Sequence, residues 1–346
     1  MEPLITINEM WNDCREKLLF PIPRRSPYYI SAPRWAYHSA GGRALHLLCH
    51  ALNRAGEEAY ITNHPFGEYL APWSSPELMV EVLSKKRAKR HFLEGRTPII
   101  VYPEVITGNP LGGPVVARWV LNFPGFLGGD LEYAPEELVF GYSAEIAESA
   151  KVPGQVLHMP TIDTRIFYPP ENHSERKGAC FFSSKYKGPH SAITNNCFHI
   201  TRFQSDSLTP QELSNILRKS EVFYTYENTA LATEAVLCGC PAVFIPNEFL
   251  VKRIGECELG KEGYAWGIEC LDFARATVGM GIKNYIKTYD YFWNQLKVFI
   301  QITQKEAHKM PYSTMINIPF DQRLFLNRKP RIIPKFQTVL SKMFNK

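Results

Sequence analysis

Short apolar runs alternate along this chain with stretches of helical period, and that alternation constrains the fold more than any other feature. Tyr28-Tyr29-Ile30-Ser31 reads as a buried strand, followed by a loop from residue 32 to 42. Residues 43–53 have helical spacing, Gly56 stands where such a helix stops, and Ala59-Tyr60-Ile61 reads as the next strand. Strand, crossover helix and strand form the unit from which parallel sheets are built. The spacing further predicts a basic helix over 76–92, a strand at 98–102, a helix over 115–121 stopped by Asn122, Pro124 and Gly125, and strands at 137–140 and 156–159. A polar, proline-marked break at 169–175 then separates a second series: strands at 179–182, 222–224 and 242–245, with helices near 209–219 and 229–238. The expected class is α/β with two Rossmann-like units: a lead-in over 1–26, domains over 27–168 and 169–310, and a tail over 311–346.

With 346 residues the chain has room for about two domains. Lys plus Arg number 39 and Asp plus Glu 34, a net charge of +5, too mild to call for a nucleic-acid partner. No apolar run approaches the length of a membrane span, and the first seventeen residues lack the apolar core of a signal peptide, so the default expectation is cytoplasmic. Eight cysteines are scattered, several inside apolar runs, and are read as reduced and buried. Cys238-Gly239-Cys240 has no second pair at zinc spacing, and His46 and His50 lack the Glu of a zinc-hydrolase helix; no metal site is expected.

The most informative stretch is 221–248, EVFYTYENTALATEAVLCGCPAVFIPNE, which reads as strand, loop, helix, turn, strand. Asn228 or Thr229 caps the helix, Gly239 ends it and Pro241 prevents its continuation. Backbone N–H groups near Thr229, Ala230 and Leu231, with the helix dipole, suit a phosphate beyond the strand ends. Glu234 lies about one and a half turns further along, where a carboxylate can accept from ribose hydroxyls. Glu227 and Glu234 read equally well as helix-start acids favoured by the dipole.

This stretch resembles the GT-B glycosyltransferases, especially the retaining group similar to glycogen synthase and bacterial lipopolysaccharide transferases. Those enzymes carry Glu-x7-Glu followed by a small-Cys-Gly-x-Pro-Val-Val turn and strand. Here Glu227 and Glu234 have six residues between them, and the turn runs Ala235-Val236-Leu237-Cys238-Gly239-Cys240-Pro241-Ala242-Val243. Asp163-Thr164-Arg165-Ile166-Phe167-Tyr168-Pro169 resembles the family's phrase at the interdomain crossing, and 182–188 resembles the strand-end loop whose basic residues hold the donor diphosphate. The resemblance implies two domains facing across a cleft, with Glu234 on the ribose, Glu227 on the donor sugar or phosphate, and Lys185 or Lys187 on the diphosphate. It implies a nucleotide-diphosphate sugar as co-substrate, a glycan or lipid-linked acceptor, retention of configuration, a role in surface polysaccharide synthesis, and no cofactor or metal requirement.

The first half would then hold the acceptor. The Ser39-Ala40-Gly41-Gly42-Arg43 loop brings backbone close to a ligand at Gly41 and Gly42, with His38 the nearest titratable side chain. Glu104 leaves a strand end towards a Gly-rich loop, and Asp130 closes a second such loop. In an inverting enzyme Glu104, Asp130 or His38 would be the base; in a retaining one the leaving phosphate takes the acceptor proton. From Arg323 onward seven basic residues are interleaved with apolar ones, which fits either a helix on an anionic membrane surface or one packed on the first domain. Two other readings stand beside the transferase: a nucleotide-binding module without turnover, and a sugar-nucleotide epimerase of the same fold.

Overall fold

The computed structural model describes residues 25–62, 74–170, 175–201 and 208–310. In chain order, β1 is Tyr28–Ser31, α1 Ala40–Arg54, β2 Ala59–Thr62, β3 Glu81–Val82, α2 Lys85–Leu93, β4 Ile99–Pro103, β5 Val115–Val120, β6 Leu138–Gly141 and α3 Ala144–Ser149. The second half contains β7 Ala179–Phe182, β8 Phe198–His199, α4 Pro210–Lys219, β9 Val222–Thr225, α5 Ala230–Leu237, β10 Ala242–Phe244, α6 Glu256–Leu259, β11 Tyr264–Trp266 and α7 Leu271–Lys309.

Two sheets result, in the order β3-β2-β1-β4-β5-β6 and β11-β10-β9-β7-β8. Every strand pair in both is parallel. The first order is the doubly wound 3-2-1-4-5-6 arrangement, and the second, numbered within its own half, is 2-1-3-4-5 read from the other edge. Both place their ligand face outside the carboxyl ends of the strands, where the order reverses. The α/β class with two parallel sheets, the GT-B plan, is therefore what the chain adopts.

Three expected elements differ. Residues 115–121 form a strand, not a helix: all six residues of β5 are buried, and a strand covered on both faces reads as a continuous run with no period of two. Arg118, fully buried within it, imitates the polar position of a helix. Its guanidinium is consumed by both oxygens of Glu137 (2.8 and 2.9 Å) and by the carbonyls of Ile106 (2.6 Å) and Gly108 (2.8 Å). The basic helix starts only at Lys85, where the Ser84 hydroxyl accepts from the Arg87 N–H, because Glu81 and Val82 are drawn into the sheet beside β2. Residues 156–159 are not a strand of the sheet; a single bridge from Gly141 to Val156 precedes the crossing into the second half.

The thirty-nine-residue α7, not foreseen from the sequence, starts against β11 and ends on the first sheet. There Thr303 meets the Tyr28 hydroxyl at 2.8 Å, and Gln304 bonds both the N–H and the carbonyl of Ser26 and the Glu57 carboxylate. The basic tail at 311–346 lies outside the described residues.

Candidate active site

The carboxyl ends of the strands of both sheets open onto one cleft of about 600 Å³. Its walls come from the loop after β1 (Arg34, His38), the turn after β4 (Glu104), the loop after β5 (Asn122, Leu127), the crossing segment (His158, Thr161), Lys185 after β7, residues 227–230 after β9, and Arg253 after β10. Ligands of such sheets sit at this end because each following helix points its N-terminus there.

Two helices do so from opposite sides. In α1 the Ser39 hydroxyl accepts from Gly42 N–H at 3.1 Å, and the N–H groups of Ala40 and Gly41 have no hydrogen-bond partner among the described residues. Gly41 and Gly42, expected in a loop, thus form the first turn of the helix. A side chain at 42 would meet the Ser39 hydroxyl at 2.9 Å, so glycine preserves the cap. In α5 the Thr229 hydroxyl accepts from Leu231 N–H, leaving those of Thr229 and Ala230 without partners among the described residues. Leu231 itself is buried and does not line the cleft; its N–H is spent on the cap.

The two carboxylates of the resemblance are placed unlike each other. Glu227 lines the cleft, but one of its oxygens accepts from three successive N–H groups, Ser184 (3.3 Å), Lys185 (2.6 Å) and Tyr186 (3.2 Å). It braces the loop that carries Lys185. Glu234, expected on the ribose, has a wholly buried side chain that is absent from the cleft lining and is paired with Nη2 of Arg43 from the other half at 3.0 Å. The carboxylate is desolvated and matched by a guanidinium instead of facing the cleft.

Lys185 and Lys187 are separated by the structure. Lys185 lines the cleft and its charge reaches Glu104, whereas Lys187 turns away and donates to the Ser184 carbonyl at 2.6 Å. The Asn228 side chain lines the cleft while tying the loop after β10, through Lys252 O (2.8 Å) and Ile254 N–H (3.0 Å). Glu104 is 3% exposed, receives the Leu121 N–H at 2.9 Å, and is pushed up from the usual carboxyl range by burial, against the pull of Lys185 and Arg118. Asp130 departs from the expected cleft position: it accepts from Gly108 N–H at 2.6 Å, latching two loops, and does not line the cleft. His38 is exposed at the rim. His46 and His50 are buried and bonded elsewhere, His46 to Ser74 and the Pro33 carbonyl, His50 to Met79 N–H. Among the described residues no group of three His, Cys, Asp or Glu could hold a metal ion.

Two cleft residues escaped the sequence reading. His158 is buried and pulled down to about 4 by that burial. Its Nδ1 lies 3.1 Å from the Tyr142 carbonyl; a carbonyl only accepts, so Nδ1 carries the proton of the neutral ring and Nε2 is left as an acceptor. Arg253 is buried over the Tyr264 ring at 4.3 Å and bonded to the Gly260 carbonyl. His158 stood beside the crossing phrase, a signal of position that its apolar neighbours concealed. The halves are also joined around α3 and α6: Glu145 accepts from the N–H groups of Gly255 (3.1 Å) and Cys257 (3.2 Å), and Glu258 accepts from that of Ala144 (2.8 Å).

No family model matches the chain, and no curated protein matches it. Among solved structures, spinosyn forosaminyltransferase SpnP is similar over 92% of this chain and 100% of its own, at 12% identity and a TM-score of 0.33. Anabaena Alr3699/HepE in complex with UDP is similar over the same shares, at 12% identity and 0.33. A putative UDP-N-acetylglucosamine 2-epimerase from Listeria monocytogenes is similar over 80% of this chain and 90% of its own, at 12% and 0.34. At these scores the likenesses carry no weight for function, and the fold rests on the strand order itself.

Proposed function

We propose that the chain is a glycosyltransferase that binds a nucleotide-diphosphate sugar in the cleft and transfers the sugar to a hydroxyl of a glycan or lipid-linked acceptor. The observation that carries this reading is the pair of helix N-termini, from α1 and α5, whose N–H groups, unpartnered among the described residues, face one cleft from opposite sheets with Lys185 beside them. Among the described residues, Arg34, Lys185 and Arg253 give the cleft three cations against the two carboxylates Glu104 and Glu227. One of those carboxylates is occupied by backbone donors, and the other is pushed towards its neutral form by burial. An anionic ligand is favoured, and a diphosphate matches donors arriving from two sides.

In the reaction, charge develops on the leaving diphosphate as the glycosidic bond breaks. Lys185, the α5 N-terminus and the loop braced by Glu227 are fixed in advance to stabilise it. Transfer with retention, which the resemblance implies, lets that phosphate accept the acceptor's proton. Glu104 then serves as a hydrogen-bond partner of the acceptor on the opposite wall.

The test is a binding screen of the full chain against UDP, GDP, ADP and CMP and their sugars, with Lys185→Ala in parallel, followed by an acceptor assay with the donor that binds. Saturable binding of one nucleotide class, weakened about tenfold in Lys185→Ala, supports the reading. Absence of binding by all of them overturns it. The anomeric configuration of the first transferred sugar, read by NMR, decides between retention and inversion.

A further inference from the structure

A second cavity, of about 360 Å³, lies between the loop after β1, the crossing segment and the start of α4. It meets the cleft at Ala36, His38 and Thr161, and the buried Arg43–Glu234 pair forms part of its wall. Its charges differ from those of the cleft. The two guanidinium groups, Arg43 and Arg165, are matched by three carboxylates: Glu234 on Arg43, Asp163 and Glu77 on Arg165, all at 3.0 Å or less. Among the described residues no Lys or Arg of the lining is left over for a phosphate, so a second nucleotide is disfavoured here.

The cavity nevertheless lacks two acceptors. Trp35 and Arg43 both line it and both are more than nine-tenths buried, yet Trp35 Nε1 and Arg43 Nε make no hydrogen bond with any described residue. A buried N–H without a partner is costly, and an apolar ligand would leave both unpaired. A cation would face two donors. The ligand that suits the cavity is neutral and carries groups able both to accept, from Trp35 and Arg43, and to donate, to the carboxylates of Glu77 and Asp163. The indole edge against Tyr37, with ring centroids 5.7 Å apart, adds an aromatic surface. Vicinal hydroxyls on a ring with apolar C–H faces meet all three requirements.

We infer that this cavity binds a neutral sugar unit, one that the acceptor carries beyond its reacting end. The word acceptor rests on the transferase reading; the sugar rests on the cavity alone. His38, shared by the two spaces, marks where one chain of sugars passes from cavity to cleft.

The test titrates the full chain with methyl glycosides of glucose, galactose, mannose, N-acetylglucosamine and rhamnose by saturation-transfer NMR. UDP is titrated in the same samples, and Trp35→Phe and Tyr37→Ala, which removes the ring, are run in parallel. Trp35→Phe keeps a ring and removes the N–H; Tyr37 is exposed, so its variant carries the test if Trp35→Phe fails to fold. At least one glycoside should bind saturably, weakened roughly fivefold to tenfold in each variant, with UDP affinity unchanged. If no glycoside saturates, or if binding is undiminished in the folded variants, the inference is overturned whether or not UDP binds. If a glycoside behaves as expected while UDP and the other nucleotides fail, the cavity assignment stands and the cleft reading falls.

Discussion

Replacing Glu234 with Ala separates the two roles this carboxylate can have. As a ribose ligand its loss would weaken nucleotide binding and leave the fold nearly intact. As the partner of Arg43 its loss leaves a guanidinium buried between the halves with one contact removed, since Nη1 still donates to the Tyr37 carbonyl at 2.6 Å. An exposed ion pair of this length is worth at most about 1 kcal/mol. Here both side chains are almost wholly shielded, 7% and 0% exposed, and stranding one charge in such surroundings costs about 3–5 kcal/mol. In a melting experiment that is on the order of 10 °C. Removing both charges together, as Arg43→Met with Glu234→Leu, strands neither, and most of the stability should return. Urea unfolding of wild type, both single variants and the double variant measures the coupling, and UDP titration of the double variant measures the ligand role. The argument is refuted if Glu234→Ala loses less than about 1 kcal/mol, or if the stable double variant no longer binds a nucleotide that wild type binds.

Lys185→Ala should weaken nucleotide binding about tenfold and Lys187→Ala should leave it unchanged, by calorimetry, because only the first lines the cleft. Glu227→Gln, which removes the charge accepting three N–H groups, should cost about 1–3 kcal/mol by urea unfolding and raise amide exchange at 184–186; unaltered exchange there would sink the bracing role. Burial raises the Glu258 carboxyl from 4.5 to about 7, with the Glu145 charge adding to the effect and Arg253 opposing it. A folded pKa above the unfolded one makes stability fall as pH rises from about 4.5 to 7. Glu258→Gln should therefore gain on wild type by about 1–2 kcal/mol between pH 5 and 8, and a flat difference in unfolding midpoint across that range would contradict it. Gly42→Ala should lower stability by about 1 kcal/mol, read by thermal melting, by displacing the Ser39 cap.

What was legible in the sequence was whatever local rules decide. The stretch from β9 to β10 reads correctly because each boundary has its own chemical mark: Thr229 as cap, Gly239 at φ +73° as stop, Pro241 as the bar to continuation. Strand β5 was misread because burial on both faces erases the alternation that marks a strand, and because the reason Arg118 can lie inside, Glu137 and two loop carbonyls, is folded into place from elsewhere in the chain. Site residues divide in the same way. Glu104, Lys185 and the start of α5 lie where a strand end must put them. The fate of Glu234 depended on Arg43, 191 positions away, and no local pattern announces such a pairing. Helix α7 went unseen since its apolar positions answer to two different sheets in turn.

That helix has a mechanical consequence. Among the described residues the main chain passes between the halves at 160–170, and α7 crosses back as a rod of about 58 Å whose far end is held by Tyr28, Ser26 and Glu57. The Arg43–Glu234 pair and the bonds joining α3 to α6 tie the same halves between those two crossings, so sliding and splaying are both resisted. The register of the α1 and α5 amides across the opening is thus kept by contacts spread along the seam, and the strut itself reaches the opening at Tyr285.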